Sequence, residues 1–303
     1  MQTLYAFKRN EGDDFKADKT FLLKSLDGMY DLYLVLLALL IEIHKKAEDR
    51  LEKTQQKILA TSEEKNPNRK FVNNEVLKLL SENKALNDVI TSKKLNFWDL
   101  DFEYVDILLK AILKSDVYNN YMSKKVSSFK EDKEFVIDMY KEVIAPNDKL
   151  YDYIEDKKIT WIDDLPIVNT NLLKILRKLK PNSKEQHLLP KLYKDNEDKE
   201  FAVELFQKSL LNKSTFDDEI GKKTTNWDSD RIASLDAVML RMALCEFQKF
   251  PSIPVKVTIN EYLEIAKEYS TPKSSIFING VLDKTVKEYQ SEGKLNKIGR
   301  GLM

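Results

Sequence analysis

This chain reads as an all-α protein, and three observations predict it. Glycine and proline are scarce, at seven and eight in 303 residues, too few for the tight turns of a β-rich fold. Charged residues make up 33% of the chain and hydrophobic ones 42%, the mixture that surface-charged amphipathic helices need. A long-period repeat runs through the middle of the sequence, and each copy carries helical periodicity. The architecture expected is a multi-helix bundle extended by internal repeats of about 64–66 residues.

The first element is the apolar run "LYLVLLALLIEI" at 32–43, which includes Glu42 and is too short to span a bilayer. Three short stretches then resemble one another: "KKLNFWDLD" at 93–101, "KKITWIDD" at 157–164 and "KKTTNWDSD" at 222–230. They hold all three tryptophans, Trp98, Trp161 and Trp227, each followed three residues later by an aspartate, Asp101, Asp164 and Asp230. Residues 132–164 align without a gap on 198–230 with nine identities in 33 positions, and 71–97 align on 135–161 with eight. A period above 60 predicts about three helices per copy. Each Trp-x-x-Asp precedes an apolar helix, so the aspartates are expected as N-caps, with Pro166 just inside the second of these helices. The indoles are expected to lock the incoming loops by burial. Stacking of nucleobases at three separate tryptophan sites is the less economical reading.

Further along, "RIASLDAVMLRMALCEF" at 231–247 is apolar almost all round, as a helix at the centre of a bundle would be. Thr258 and Glu261 have capping-box spacing, Pro272 ends the following connection, and Ser274 or Ser275 can cap the last helix. On that helix Ile278, Leu282, Thr285, Val286 and Tyr289 share a face.

Composition excludes several function classes. Fifty bases balance fifty acids, so nucleic-acid binding would need a local patch rather than a basic excess. The single Cys245 forms no internal disulfide and sits on an apolar helix, where an inert thiol is expected; a cytoplasmic chain follows. No signal-peptide pattern opens the sequence, so no membrane association is expected. His44 and His187 stand in unrelated contexts, with no metal-ligand spacing around them. No G-x-G-x-x-G, P-loop or G-x-S-x-G occurs, so neither a cofactor nor an enzymatic activity is expected.

Read as one ordered series, "NWDSDRI", "LDAVMLRMALCEF" and "SIPVKVTINEYLEIAKEYSTPKSSIFINGVLDK" resemble the NusB family of transcription antitermination factors, over about 198–286. "QTLYAF" at 2–7 is similar to the end of that family's first helix. The resemblance implies 1–60 as N-terminal helices of a NusB-like fold, 61–195 as a helical insertion with two repeat units, and 196–303 as the C-terminal core. It implies a non-enzymatic factor that binds boxA-type RNA together with the ribosomal protein NusE, within the RNA polymerase antitermination complex. The family's arginine-rich segment at the start of the first helix has no counterpart in the opening "MQTLYAF", and Lys8 and Arg9 are the bases nearest to it. By the same resemblance the loop before the last helix offers Lys273, Ser274 and Phe277 to RNA, although Phe277 could equally pack in the core. Asp236 falls on the partner-binding surface or is a solvated polar position. Arg241 and Glu246 are expected to satisfy each other or nearby backbone groups. NusB-like domains also occur fused to RNA methyltransferases, but no glycine-rich cofactor segment accompanies this one. A helical interaction scaffold that kept the fold without RNA binding is the alternative.

Overall fold

A computed structural model of the chain describes residues 1–9, 15–57, 61–224 and 233–298. Among the described residues there are helices, turns and loops but no strand. In chain order the helices are α1 Gln2–Arg9, α2 Phe15–Gln55, α3 Ser62–Lys65, α4 Glu75–Glu82, α5 Lys84–Ser92, α6 Phe102–Lys114 and α7 Asp116–Met122. They continue as α8 Phe129–Met139, α9 Asp148–Lys157, α10 Thr160–Lys178, α11 Asn196–Leu211, α12 Lys213–Lys223, α13 Ser234–Lys249, α14 Val255–Tyr269 and α15 Ser274–Ser291. The chain forms two compact units: a central one of residues 25–192, and a split one that joins 1–24 to 193–303.

The repeat is three helices long. Its copies are α4–α5–α6, α8–α9–α10 and α11–α12–α13. The middle helix of each copy starts after an asparagine. Asn83 accepts from the Leu86 N–H, and Asn147 from the N–H groups of Lys149 and Leu150, which satisfies donors the first turn leaves free. Asn212 holds the same position before α12 without a side-chain bond. Aligned apolar positions are buried in every copy: Leu86, Leu150 and Phe216, then Ile90, Ile154 and Ile220. The aligned Asp88, Asp152 and Asp218 all face solvent. Phe71 and Phe135, equivalent in the first two copies, pack edge to face at 5.6 Å.

In the central unit, α2 is the axis. Ten consecutive residues, Leu32–Ile41, are buried, so this stretch meets protein on every side. Trp98 and Trp161 dock on it in the same way. The Trp98 Nε1–H donates to the Val35 carbonyl at 2.9 Å and the Trp161 Nε1–H to the Gly28 carbonyl at 2.8 Å. Both rings are buried. The two acceptors lie seven residues, or two helical turns, apart, so successive copies step along α2 by about 10 Å. Gly28 leaves room beside the Trp161 indole that the Lys158 ammonium fills.

The aspartates that follow the tryptophans do not act as expected. Asp101 holds the N-cap position of α6, but its carboxylate accepts instead from the Tyr153 hydroxyl at 2.8 Å and pairs with Lys157 at 2.7 Å. Asp164 is no cap at all. α10 begins at Thr160, which leaves Asp164 and Pro166 inside the helix. Burial of Trp161 draws the chain into helix one turn early, and the absent Pro166 N–H is tolerated on the exposed face. Trp227 and Asp230 lie outside the described residues.

Candidate functional site

The centre of the split unit is α13, buried from Val238 to Phe247. A helix buried all round must satisfy each polar side chain it carries. Asp236 accepts from the Ser270 hydroxyl at 2.6 Å. Arg241, only 2% exposed, directs Nε and Nη2 at one Asp217 oxygen of α12, at 3.0 and 2.6 Å. Glu246 accepts from Thr258 at 2.9 Å and Tyr262 at 2.7 Å. Burial raises its pKa above the ordinary carboxylate value, with the two hydroxyls acting the other way. Arg241 and Glu246 therefore do not satisfy each other; each finds its partner on a neighbouring helix. The Lys297 ammonium donates to the Glu246 and Phe250 carbonyls at 3.0 Å each, capping the end of α13. Burial pushes the Cys245 thiol up to about 11, as an inert core thiol requires.

The capping box expected at Thr258 and Glu261 does not form. α14 starts at Val255 behind Pro254, which places Thr258 a turn inside, with its hydroxyl committed to Glu246.

The loop between α14 and α15 is built on hydroxyls. Ser270 reaches back to Asp236, the Ser274 Oγ lies 2.9 Å from that of Ser270, and the Thr271 Oγ1 lies 2.9 Å from that of Ser274. Asp236 and Ser274 are both buried at 4% exposure. Asp236 thus tethers the loop to α13, and its carboxylate is not on a free surface. Phe277 is buried in the core of the unit beside Ile278, so it does not offer a ring for stacking, while its neighbour Ile276 is 75% exposed. Lys273, at the N-cap position of α15, is exposed. Of the three residues expected in a loop that meets RNA, Ser274 and Phe277 belong to α15 and are buried, and only Lys273 is presented to solvent. α1 packs against α13 through Leu4, in the same core as Phe277. The side chains of Lys8 and Arg9 lie outside the described residues.

The histidine contexts are structural. His44 is buried, with Nε2 2.9 Å from the Val72 carbonyl and Nδ1 3.1 Å from Ser81 Oγ. Among the described residues, no three metal-ligating side chains converge, and no helix is long and apolar enough to cross a membrane.

The sequence profile of the NusB family matches residues 170–287. The chain is similar to the transcription antitermination protein NusB of Salinibacter ruber, at 44% identity over 112 residues, 37% of this chain and 70% of the relative. It is similar to the protein of the same name from Koribacter versatilis, at 41% identity over 100 residues, 33% of this chain and 68% of the relative. The one from Chloroherpeton thalassium is 39% identical over 129 residues, 42% of this chain and 61% of the relative. No solved structure matches. An all-helical bundle centred on α13, with these relatives, defines the class: the chain belongs to the NusB family.

Proposed function

We propose that this chain is a transcription antitermination factor that binds boxA-type RNA together with the ribosomal protein NusE, without catalysing a reaction. One observation carries the reading. The described residues of "LDAVMLRMALCEF" and "SIPVKVTINEYLEIAKEYSTPKSSIFINGVLDK", which resemble the family, lie on α13, α14, α15 and their connections, where Asp236, Ser270 and Ser274 hold the loop that presents Lys273. An exposed ammonium on a fixed loop is suited to a phosphate, which positions RNA without reading its sequence. NusE would dock on the same split unit, where the family's partner surface falls.

Burial of Phe277 and Ser274 favours a second reading, a helical interaction scaffold, because it leaves the loop one basic contact and no ring. Lys273→Glu separates the two. On the antitermination reading it weakens boxA binding measured with NusE present and lowers the salt slope by about one unit. The melting temperature stays unchanged, since the side chain is exposed. Equal affinity of variant and parent at low salt removes this loop from the site and favours the scaffold.

A further inference from the structure

The chain is neutral overall, yet residues 165–184 contain five bases and no acid. Lys174, Arg177 and Lys178 are spaced three and four apart on α10, so they share one face and span about 6 Å along the axis. The helix ends at Leu179, and Lys180 and Lys184 flank the turn that follows, closed by a bond from the Lys180 N–H to Ser183 Oγ at 2.9 Å. All five side chains are exposed. None of the five forms an ion pair among the described residues. Elsewhere in the central unit some bases are paired, as Lys46 is with Asp106, Lys93 with Asp31 and Lys157 with Asp101.

Two further arrangements keep this patch positive. The carbonyls of a helix C-terminus carry partial negative charge that would repel an anion. Here the Lys133 ammonium occupies them, donating to the Arg177 and Leu179 carbonyls at 3.0 Å each. Glu185, the next acid in the chain, is engaged with the Ala85 N–H at 3.1 Å. Acids do lie near one edge of the patch: burial and then Glu142 raise the pKa of Asp138 on α8, with Lys141 and, less strongly, Arg177 acting the other way, so Arg177 is the base of the patch that feels this acidic edge.

We propose that the C-terminal half of α10 and the turn after it form a second nucleic-acid surface, one that takes the phosphate backbone of single-stranded RNA. The proposal rests on the RNA-binding reading above for its choice of polymer. The chemistry of the patch supports that choice over other polyanions. Among the described residues no large apolar side chain is exposed between Asn171 and Gln186. Stable membrane docking usually adds inserted apolar groups to such charge, and a protein interface usually centres on buried anchors. Asn171, Asn182 and Gln186 instead surround the bases with exposed amides that can meet ribose or base edges.

The test is the double charge reversal Lys178→Glu/Lys180→Glu in the full chain, titrated with an oligouridylate of about 16 nucleotides across a salt series. The variant is expected to bind several-fold more weakly, with a salt slope lower by about 1.4, and to melt as the parent does. Lys178→Arg/Lys180→Arg is expected to keep both affinity and slope. An unchanged slope in the Glu variant overturns the proposal, as does parent protein that binds anionic phosphatidylserine vesicles but no oligouridylate. The two readings fail separately. Loss of boxA binding in Lys273→Glu with no effect of the double variant removes the α10 surface and keeps the antitermination reading. Loss of oligouridylate binding in the double variant, with no boxA binding by the parent and NusE, does the reverse.

Discussion

The central unit and the split unit are each organised around a buried helix, and the two helices are buried by different means. Between Leu32 and Ile41, α2 carries no polar side chain other than the Tyr33 hydroxyl, and that hydroxyl donates to the Leu188 carbonyl at 2.9 Å. Its neighbours attach to it through apolar packing and through indole N–H groups that use the second lone pair of backbone carbonyls. α13 carries Asp236, Arg241 and Glu246 at comparable burial; Arg241 and Glu246 are matched by side chains of neighbouring helices and Asp236 by Ser270 of the loop after α14. Buried polar pairs are a weak source of stability, because desolvation offsets most of their attraction, but they penalise any other register. The first two copies thus build mass around α2 with apolar contacts, while the polar side chains of α13, in the third copy, fix α14, α15 and their loop in position.

Trp98→Ala is expected to have the largest effect. It removes a ring that is 2% exposed, together with its bond to Val35, and is expected to cost about 3–5 kcal/mol. Trp161→Ala is expected to fall in the same range, since the two indoles perform the same docking. Chemical denaturation of the two variants measures this. A loss under about 1 kcal/mol in either would show that apolar packing holds α2 without the indoles.

Arg241→Leu probes the other unit. It leaves Asp217 without its cation, but the Asp217 side chain is 38% exposed and can rehydrate, so the expected cost is about 2 kcal/mol. Adding Asp217→Leu is expected to recover part of that loss in a double-mutant cycle. Strict additivity of the two substitutions would mean that the pair specifies nothing, and the contrast between α2 and α13 would disappear.

The all-helical class, the three-helix period and the central place of α13 were legible because each rests on periodic burial, which a sequence displays directly. Helix starts were not. Asp164, Pro166 and Thr258 all had the local chemistry of a helix N-terminus, yet burial of Trp161 and the Pro254 cap moved both starts a turn earlier. Which side chains reach solvent near the start of α15 was not legible. One residue of rotation on α15 decides whether Ile276 or Phe277 points inward, and the core takes Phe277. Asp236 looked available because its partner, Ser270, lies 34 residues away in sequence.

The smallest expected effect tests the revised place of Asp164. Inside the second turn of α10 it is half-buried beside Asp163, and burial followed by that like charge raises its pKa from the ordinary 3.8 to about 6. Between about pH 4 and 6 the folded chain therefore holds more protons than the unfolded chain, and stability falls as pH rises through that window. Above about pH 6 the full penalty is present, and Asp164→Asn removes it. Discounted for the solvent that reaches a half-buried carboxyl, the gain at pH 7 is about 1 kcal/mol. Below about pH 4 the carboxyl is protonated in both states, and the variant should melt with the parent. A helix cap would behave in the opposite way, because N–H donors favour the carboxylate and Asn would gain nothing as pH rises. Melting temperatures of the two proteins at pH 3.5 and pH 7 decide the matter: a difference that grows with pH keeps Asp164 inside the helix, and one that does not returns it to the cap.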